Sequence, residues 1–244
     1  MRAITWIIAA MLLIPGICRV PAHAAQPFLA YFERSLPSGQ NFPKWSAIGD
    51  SLSQEIAAVE GCLGGAGCPS RAAGEIAGRL ADIDGGSPLS RAEAVHDLMN
   101  SRPYRDDRHQ FGRSDVWQTP FAFWRSGGDC EDYAIAKYMA LRALGFSDTQ
   151  LRLTVMTGRA SREVHAVLLI EIDQRWYVAD NLERGLRPVE AHDGWKPEFS
   201  VSAAGAWRYV ARLADAPSAA PADTLPEPAA ASQSIASDGP RSRL

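Results

Sequence analysis

The chain is poor in the features that mark a membrane protein, a nucleic-acid binder or a disulfide scaffold. Four cysteines in 244 residues are too few for a small fold stapled by bridges. Beyond the first two dozen residues no apolar run approaches the length that spans a bilayer. Basic residues are in deficit, 25 Lys and Arg against 28 Asp and Glu, so no general attraction to nucleic acid or anionic lipid is expected.

What is present begins with an export pattern. Arg2 gives a short positive start, Ile4 to Ile17 is apolar, and Ala22-His23-Ala24 offers small residues for cleavage after Ala24. That predicts a signal peptide over 1–24 and a periplasmic or secreted product; an uncleaved N-terminal anchor is the alternative. Cleavage removes Arg2 and Arg19 and no acid, leaving 23 basic against 28 acidic residues and a net charge of −5. At the other end, alanine, proline and serine dominate from Ala211 onward, which predicts a disordered tail over 213–244. One domain is therefore expected over 26–212, of a size that supports a single core.

Between those limits helices come first. Helical spacing is read over Trp45 to Val59 and Arg71 to Ile83, and Leu89 to Met99 follows with Ser87 as cap and Pro88 at the first turn. Arg102 to Arg113 reads as a charged surface loop. Thr119-Pro120 opens a short helix to Arg125, and Cys130 to Leu144 forms another, stopped by Gly145. The period then changes: Leu151 to Met156, Val164 to Ile172 and Trp176 to Ala179 alternate like strands, with Asp173-Gln174 as a two-residue turn and a final strand at Trp207 to Val210. The fold class expected is α+β, helices packed on an antiparallel sheet.

Cys62 and Cys68, with five residues between them in a glycine-rich loop, read as a local disulfide in an exported protein or else as two free thiols. Cys130 is then the odd thiol. It stands at a helix start, after Gly127-Gly128-Asp129, where free N–H groups and the positive end of the helix dipole stabilise a thiolate. A cysteine nucleophile needs a base and a group to orient it. If Asp173-Gln174 is a two-residue turn, His165 and Asp180 are diagonal neighbours on one face of the hairpin. His96 sits mid-helix without an evident acid partner, His109 lies in a charged loop and His192 falls in an irregular stretch after the hairpin; Gln118 is a guess for an oxyanion donor beside the Cys130 N–H.

The order of cysteine helix, histidine strand and aspartate strand resembles the transglutaminase-like branch of papain-type folds. It is most similar to the bacterial transglutaminase-like cysteine proteinases, typified by the LapG-type periplasmic proteases. The residues that carry the likeness are Trp117-Gln118-Thr119-Pro120, Gly127-Gly128-Asp129-Cys130-Glu131-Asp132-Tyr133, Leu151-Arg152-Leu153, His165-Ala166-Val167-Leu168 and Asp180-Asn181. The resemblance implies a protease that cuts near the N-terminus of a large surface adhesin, often beside a pair of alanines, and so releases cells from a biofilm. It implies a membrane receptor, responsive to cyclic di-GMP, that sequesters the protease, and a requirement for Ca²⁺. By match of motif Cys130 is the nucleophile, His165 the base, Asp180 its orienter, and Asp129 and Glu131 the calcium positions. Chemistry alone leaves those acids open: a cluster at a tight turn suits calcium, yet Asp129 and Asp132 equally suit helix caps. Trp117 is a candidate for receptor contact or a core aromatic. A transglutaminase-type acyl transfer and a non-catalytic calcium-responsive binding module are the rival readings.

Overall fold

A strand, six helices and then six further strands follow one another along the chain in a computed structural model that describes residues 27–28, 30–36 and 42–212. The expected signal segment and the expected disordered tail lie outside the described residues. In order these are β1 (Tyr31–Ser35), α1 (Pro43–Leu63), α2 (Arg71–Ala81), α3 (Pro88–Asn100), α4 (Asp107–Phe111), α5 (Pro120–Ser126) and α6 (Cys130–Ala143). Then come β2 (Leu151–Gly158), β3 (Val164–Ile172), β4 (Arg175–Ala179), β5 (Arg187–Pro188), β6 (Trp195–Ser202) and β7 (Gly205–Ala211). The strands form one antiparallel sheet in the order β1-β7-β6-β2-β3-β4-β5, so the α+β expectation holds.

The helix starts follow local chemistry. Ser70 accepts from the Ala73 N–H, Ser87 from the Ser90 N–H and Thr119 from the Ala122 N–H, which satisfies otherwise orphaned donors at α2, α3 and α5. From Glu131 to Leu141 every residue of α6 is buried. That helix lies at the centre of the helical layer and packs on β3 and β2. Ile135, Tyr138, Met139 and Leu141 meet Leu151, Leu153, Leu168 and Ile170 in the main core. The opposite face of the sheet is also covered, by Phe28, Tyr31, Met156, Val167, Leu169, Trp176 and Tyr209. Burial of both faces is why β3 reads as a continuous apolar run.

Both residues of the Asp173-Gln174 turn have positive φ, 51° and 64°, as a two-residue hairpin turn between right-twisted strands requires. Ile172 then pairs with Arg175 and Leu168 with Ala179, the register expected. Cys62, in the last turn of α1, is joined in a disulfide to Cys68 in the loop that follows.

Besides the two-residue β5, three elements were not expected. β1 pairs along its length with β7, Tyr31 opposite Ala211, so a strand precedes the helices. Its Glu33 meets Arg152 at 2.6 Å, and that buried guanidinium stacks between Trp176 and Trp207 at 4.7 and 4.0 Å. β6 joins β7 to β2. The supposed surface loop from Arg102 contains α4, capped by the Asp106 carboxylate, and Asp107 on it is buried, 2% exposed.

Candidate active site

The turn before α6 admits only glycine at two successive positions. Gly127 has φ of +75°, and a methyl group there would run into the Pro103 carbonyl. The next carbonyl, of Gly128, accepts from the Arg105 N–H at 2.8 Å. A methyl at Gly128 would lie 2.7 Å from Gln118 Nε2 and press on Asp132. Asp132, fully buried, accepts from the Gln118 N–H at 2.7 Å, from Gln118 Nε2 at 2.6 Å and from the Asp129 N–H at 3.3 Å. Asp132, the third residue of α6, thus closes a capping box with the N-cap residue Asp129. Gln118 Nε2 also donates to the Gly127 carbonyl at 3.1 Å, so both amide protons are committed. It holds the turn and cannot serve as the oxyanion donor guessed from sequence.

Cys130 is the first residue of α6, half-buried and the one free cysteine among the described residues. Its Sγ donates to Glu131 Oε2 at 3.2 Å, and the Ala166 N–H points at the sulfur. Burial pushes the thiol well above its ordinary pKa, and the Glu131 carboxylate beside it adds to the shift, while the Ala166 N–H opposes it. The helix start alone therefore does not yield a thiolate here.

Ala166 follows His165 on β3, so the strand that touches the cysteine also carries the histidine. His165 and Asp180 are both buried, and His165 Nε2 lies 2.7 Å from Asp180 Oδ1. With the proton on Nε2, the ring donates to the carboxylate and keeps Nδ1 free to accept. Asp180 Oδ1 also accepts from the Leu182 N–H at 2.9 Å. Burial alone would raise the Asp180 pKa, but the bond to His165 and the charges of His165 and Lys137 outweigh it and leave the group below its ordinary value. The Trp195 ring packs against His165 with centroids 5.1 Å apart. Of the other histidines, His109 is exposed at α4, His96 is held by Glu183 O and Asn100, and His192 is buried near His165 and Asp180.

A third carboxylate joins the two picked out from sequence. Oxygens of Asp107, Asp129 and Glu131 all lie within 4.8 Å of one another. Asp107 Oδ1 and Asp129 Oδ1 are buried without a hydrogen-bond partner, while the other Asp107 oxygen accepts from the Val116 N–H. Burial raises the Asp129 pKa to about 6 and, together with the Asp129 charge, the Glu131 pKa to about 8. Orphaned acceptors of one charge sign around a small volume fit a hard cation. Asp107 escaped the sequence reading because acids in a charged stretch look solvated; Asp106 followed by Asp107 was the available sign of a capped helix.

A cleft of about 640 Å³ opens beside Cys130. Trp45, Trp117, Val155, Val164 and Phe199 line it, with Tyr104 at its rim and Lys44 and Asp115 paired at one end. Trp117 packs partly on the core, and its Nε1 donates to Asp115 at 3.2 Å. A larger cleft of about 910 Å³ between α2 and α5 is lined by four arginines and by no cysteine or histidine.

Known structures share this architecture. Calcium-bound LapG of Legionella pneumophila superposes with a TM-score of 0.52 at 25% identity, over 63% of this chain and 87% of that one. EGTA-treated LapG of the same organism gives 0.51 at 24% identity, over 64% and 84%. No curated protein matches this sequence significantly. The model of the bacterial transglutaminase-like cysteine proteinases matches residues 87–212, a little over half of the chain, and spans the cysteine helix, the hairpin and the acidic cluster. A transglutaminase-like fold with that family's sequence pattern across the candidate site places the chain in the bacterial transglutaminase-like cysteine proteinase family.

Proposed function

We propose that the chain is a periplasmic cysteine endopeptidase in which Cys130 is the nucleophile, His165 the base and Asp180 the group that orients it. The observation that carries this reading is the buried His165–Asp180 bond on the strand whose next N–H touches the Cys130 sulfur. His165 accepts the thiol proton at Nδ1, and the sulfur attacks a peptide carbonyl in the adjacent cleft. The Cys130 N–H, free at the first turn of α6, faces the developing oxyanion. The imidazolium, stabilised by the Asp180 carboxylate, returns the proton to the leaving amine, and water then releases the acyl group.

The thiol proton is directed at Glu131 Oε2, so catalysis requires that group to be drawn off. Asp107, Asp129 and Glu131 would hold a divalent cation, which supplies positive charge beside the thiol and offsets the acids that keep it protonated. A calcium-bound form of the structural relative supports Ca²⁺ as that ion.

The export pattern of the sequence over residues 1–24 supports a periplasmic location. The substrate we assign is the N-terminal region of a large surface adhesin, cut beside paired alanines to control biofilm release, and the regulator an inner-membrane receptor that sequesters the enzyme. The family supports both. Purified protein incubated with an alanine-pair peptide, in calcium or in EGTA, is expected to cleave only with calcium. Cleavage that survives Cys130→Ala would sink the assignment.

A further inference from the structure

One buried charge has entered so far only through its pull on Asp180. Lys137 stands in α6, seven residues after Cys130, and is 1% exposed. Seven residues are two helical turns, so both side chains leave the same face of the helix, about 10 Å apart along it. The two contacts fall on neighbouring strands: Cys130 reaches the Ala166 N–H on β3, and Lys137 Nζ donates to the Ala179 carbonyl at 3.1 Å, on the last residue of β4. Ala179 immediately precedes Asp180, and in the hairpin it pairs with Leu168, three residues after His165.

We propose that Lys137 is a positioning residue, which clamps the end of β4 to the cysteine helix and thereby fixes the Asp180 carboxylate against His165. A rigid helix then sets the spacing of nucleophile, base and acid from one side. The strand ends at Ala179; beyond it the Asp180 carboxylate is held by the Leu182 N–H and His165, and its carbonyl only by longer bonds from Asn100 Nδ2 at 3.4 Å and the Glu183 N–H at 3.3 Å.

The surroundings account for choosing a lysine. Asp180, just past β4, and Asp97 on α3 act on its charge, the Tyr133 ring lies 5.9 Å from Nζ on its own helix, and His96 on α3 feels it as a neighbouring cation. Burial lowers the Lys137 pKa to about 7, with Asp180 and Asp97 opposing the fall. Such desolvation is costly for a role that apolar packing would fill better, whereas a long straight donor reaches a carbonyl across the helix–sheet interface.

The inference rests on the roles proposed for Cys130, His165 and Asp180, and its test separates the two. The tautomer of His165 is read by ¹⁵N NMR of the full-length protein with labelled histidine, which needs no turnover. Peptidase kinetics are read in parallel with saturating calcium. Lys137→Met is expected to lower kcat by roughly 10- to 100-fold with KM within about twofold, as a displaced catalytic group does. The Nε2–H tautomer of His165 is expected to lose population, and Lys137→Arg, which keeps a donor, to recover most of both. If Lys137→Met does not fold, Lys137→Gln, whose shorter donor reaches less far, is read in the same way. Unchanged kcat and tautomer in the folded variant overturn the proposal. So does a fall in kcat with His165 unaltered, since the effect then runs by another route. Absence of peptidase activity in the wild type would instead strike the triad, leaving the clamp measurable at His165.

Discussion

Replacing Asp107 by asparagine tests the acidic cluster at the member that sequence did not suggest. The asparagine oxygen can still accept from the Val116 N–H, so the change is one of charge. At a separation of 4.8 Å two unit charges repel by about 3 kcal/mol at an effective dielectric constant near 20. In EGTA at pH 7 Glu131, with its pKa at about 8, is mostly protonated, so the repulsion relieved is chiefly that with Asp129. Asp107→Asn is therefore expected to stabilise the cation-free protein by up to about 3 kcal/mol, or roughly 6–12 °C in Tm for a domain of this size. The ion acts oppositely. At a calcium concentration 100 times its Kd the wild type gains about 2.7 kcal/mol, and the asparagine variant, with two carboxylates left, gains less than half of that. Thermal melts by circular dichroism in EGTA and in calcium measure both quantities. An asparagine variant with wild-type Tm in EGTA and a full calcium shift would refute the electrostatic reading of the cluster.

Three further outcomes are expected. The stability gap between wild type and Glu131→Gln in EGTA should move in favour of glutamine as pH rises from 5 to 9. Glu131 has its folded pKa raised from 4.5 to about 8, so its contribution is fully present below 4.5 and is lost through pH 8; denaturant melts that stay parallel across that window would exclude it. Asp180→Asn should lower kcat by roughly 10²- to 10⁴-fold with little change in KM, because the His165 tautomer is no longer fixed; steady-state kinetics with near-normal kcat would contradict the orienting role. Gly127→Ala should destabilise the protein by about 3 kcal/mol or more, through its positive φ and the collision with Pro103, and an unchanged urea midpoint would count against the turn as drawn.

The parts of the fold that sequence announced are those governed by neighbours along the chain. The cap and glycine turn before Cys130, the proline starts of α3 and α5, and the two-residue turn at Asp173-Gln174 all rest on local chemistry. Parity across that turn put His165 and Asp180 on one face, and they meet there. What escaped depends on distant partners. The β1 stretch Tyr31 to Ser35 is polar at three of its five positions and becomes a strand only by pairing with β7. Asp107 is buried because α4 folds back onto the turn before α6, which no local pattern records. Gln118 was misread for the same reason: its amide is taken by Asp132 and the Gly127 carbonyl, partners that only the folded turn supplies.

The pairing of β1 with β7 also has a temporal side. Tyr31 faces Ala211 and Ser35 faces Trp207, so the first strand to leave the ribosome waits for the last. At about 5–20 residues per second that interval is roughly ten to thirty seconds, during which the edge of β1 has no partner in the sheet. Arg152 cannot close its bond to Glu33 until then, and loop closure over so long a span makes the step slow. The sheet is thus completed only when synthesis of the domain is nearly finished, and a nascent chain truncated before Gly205 lacks the strand that joins its two ends.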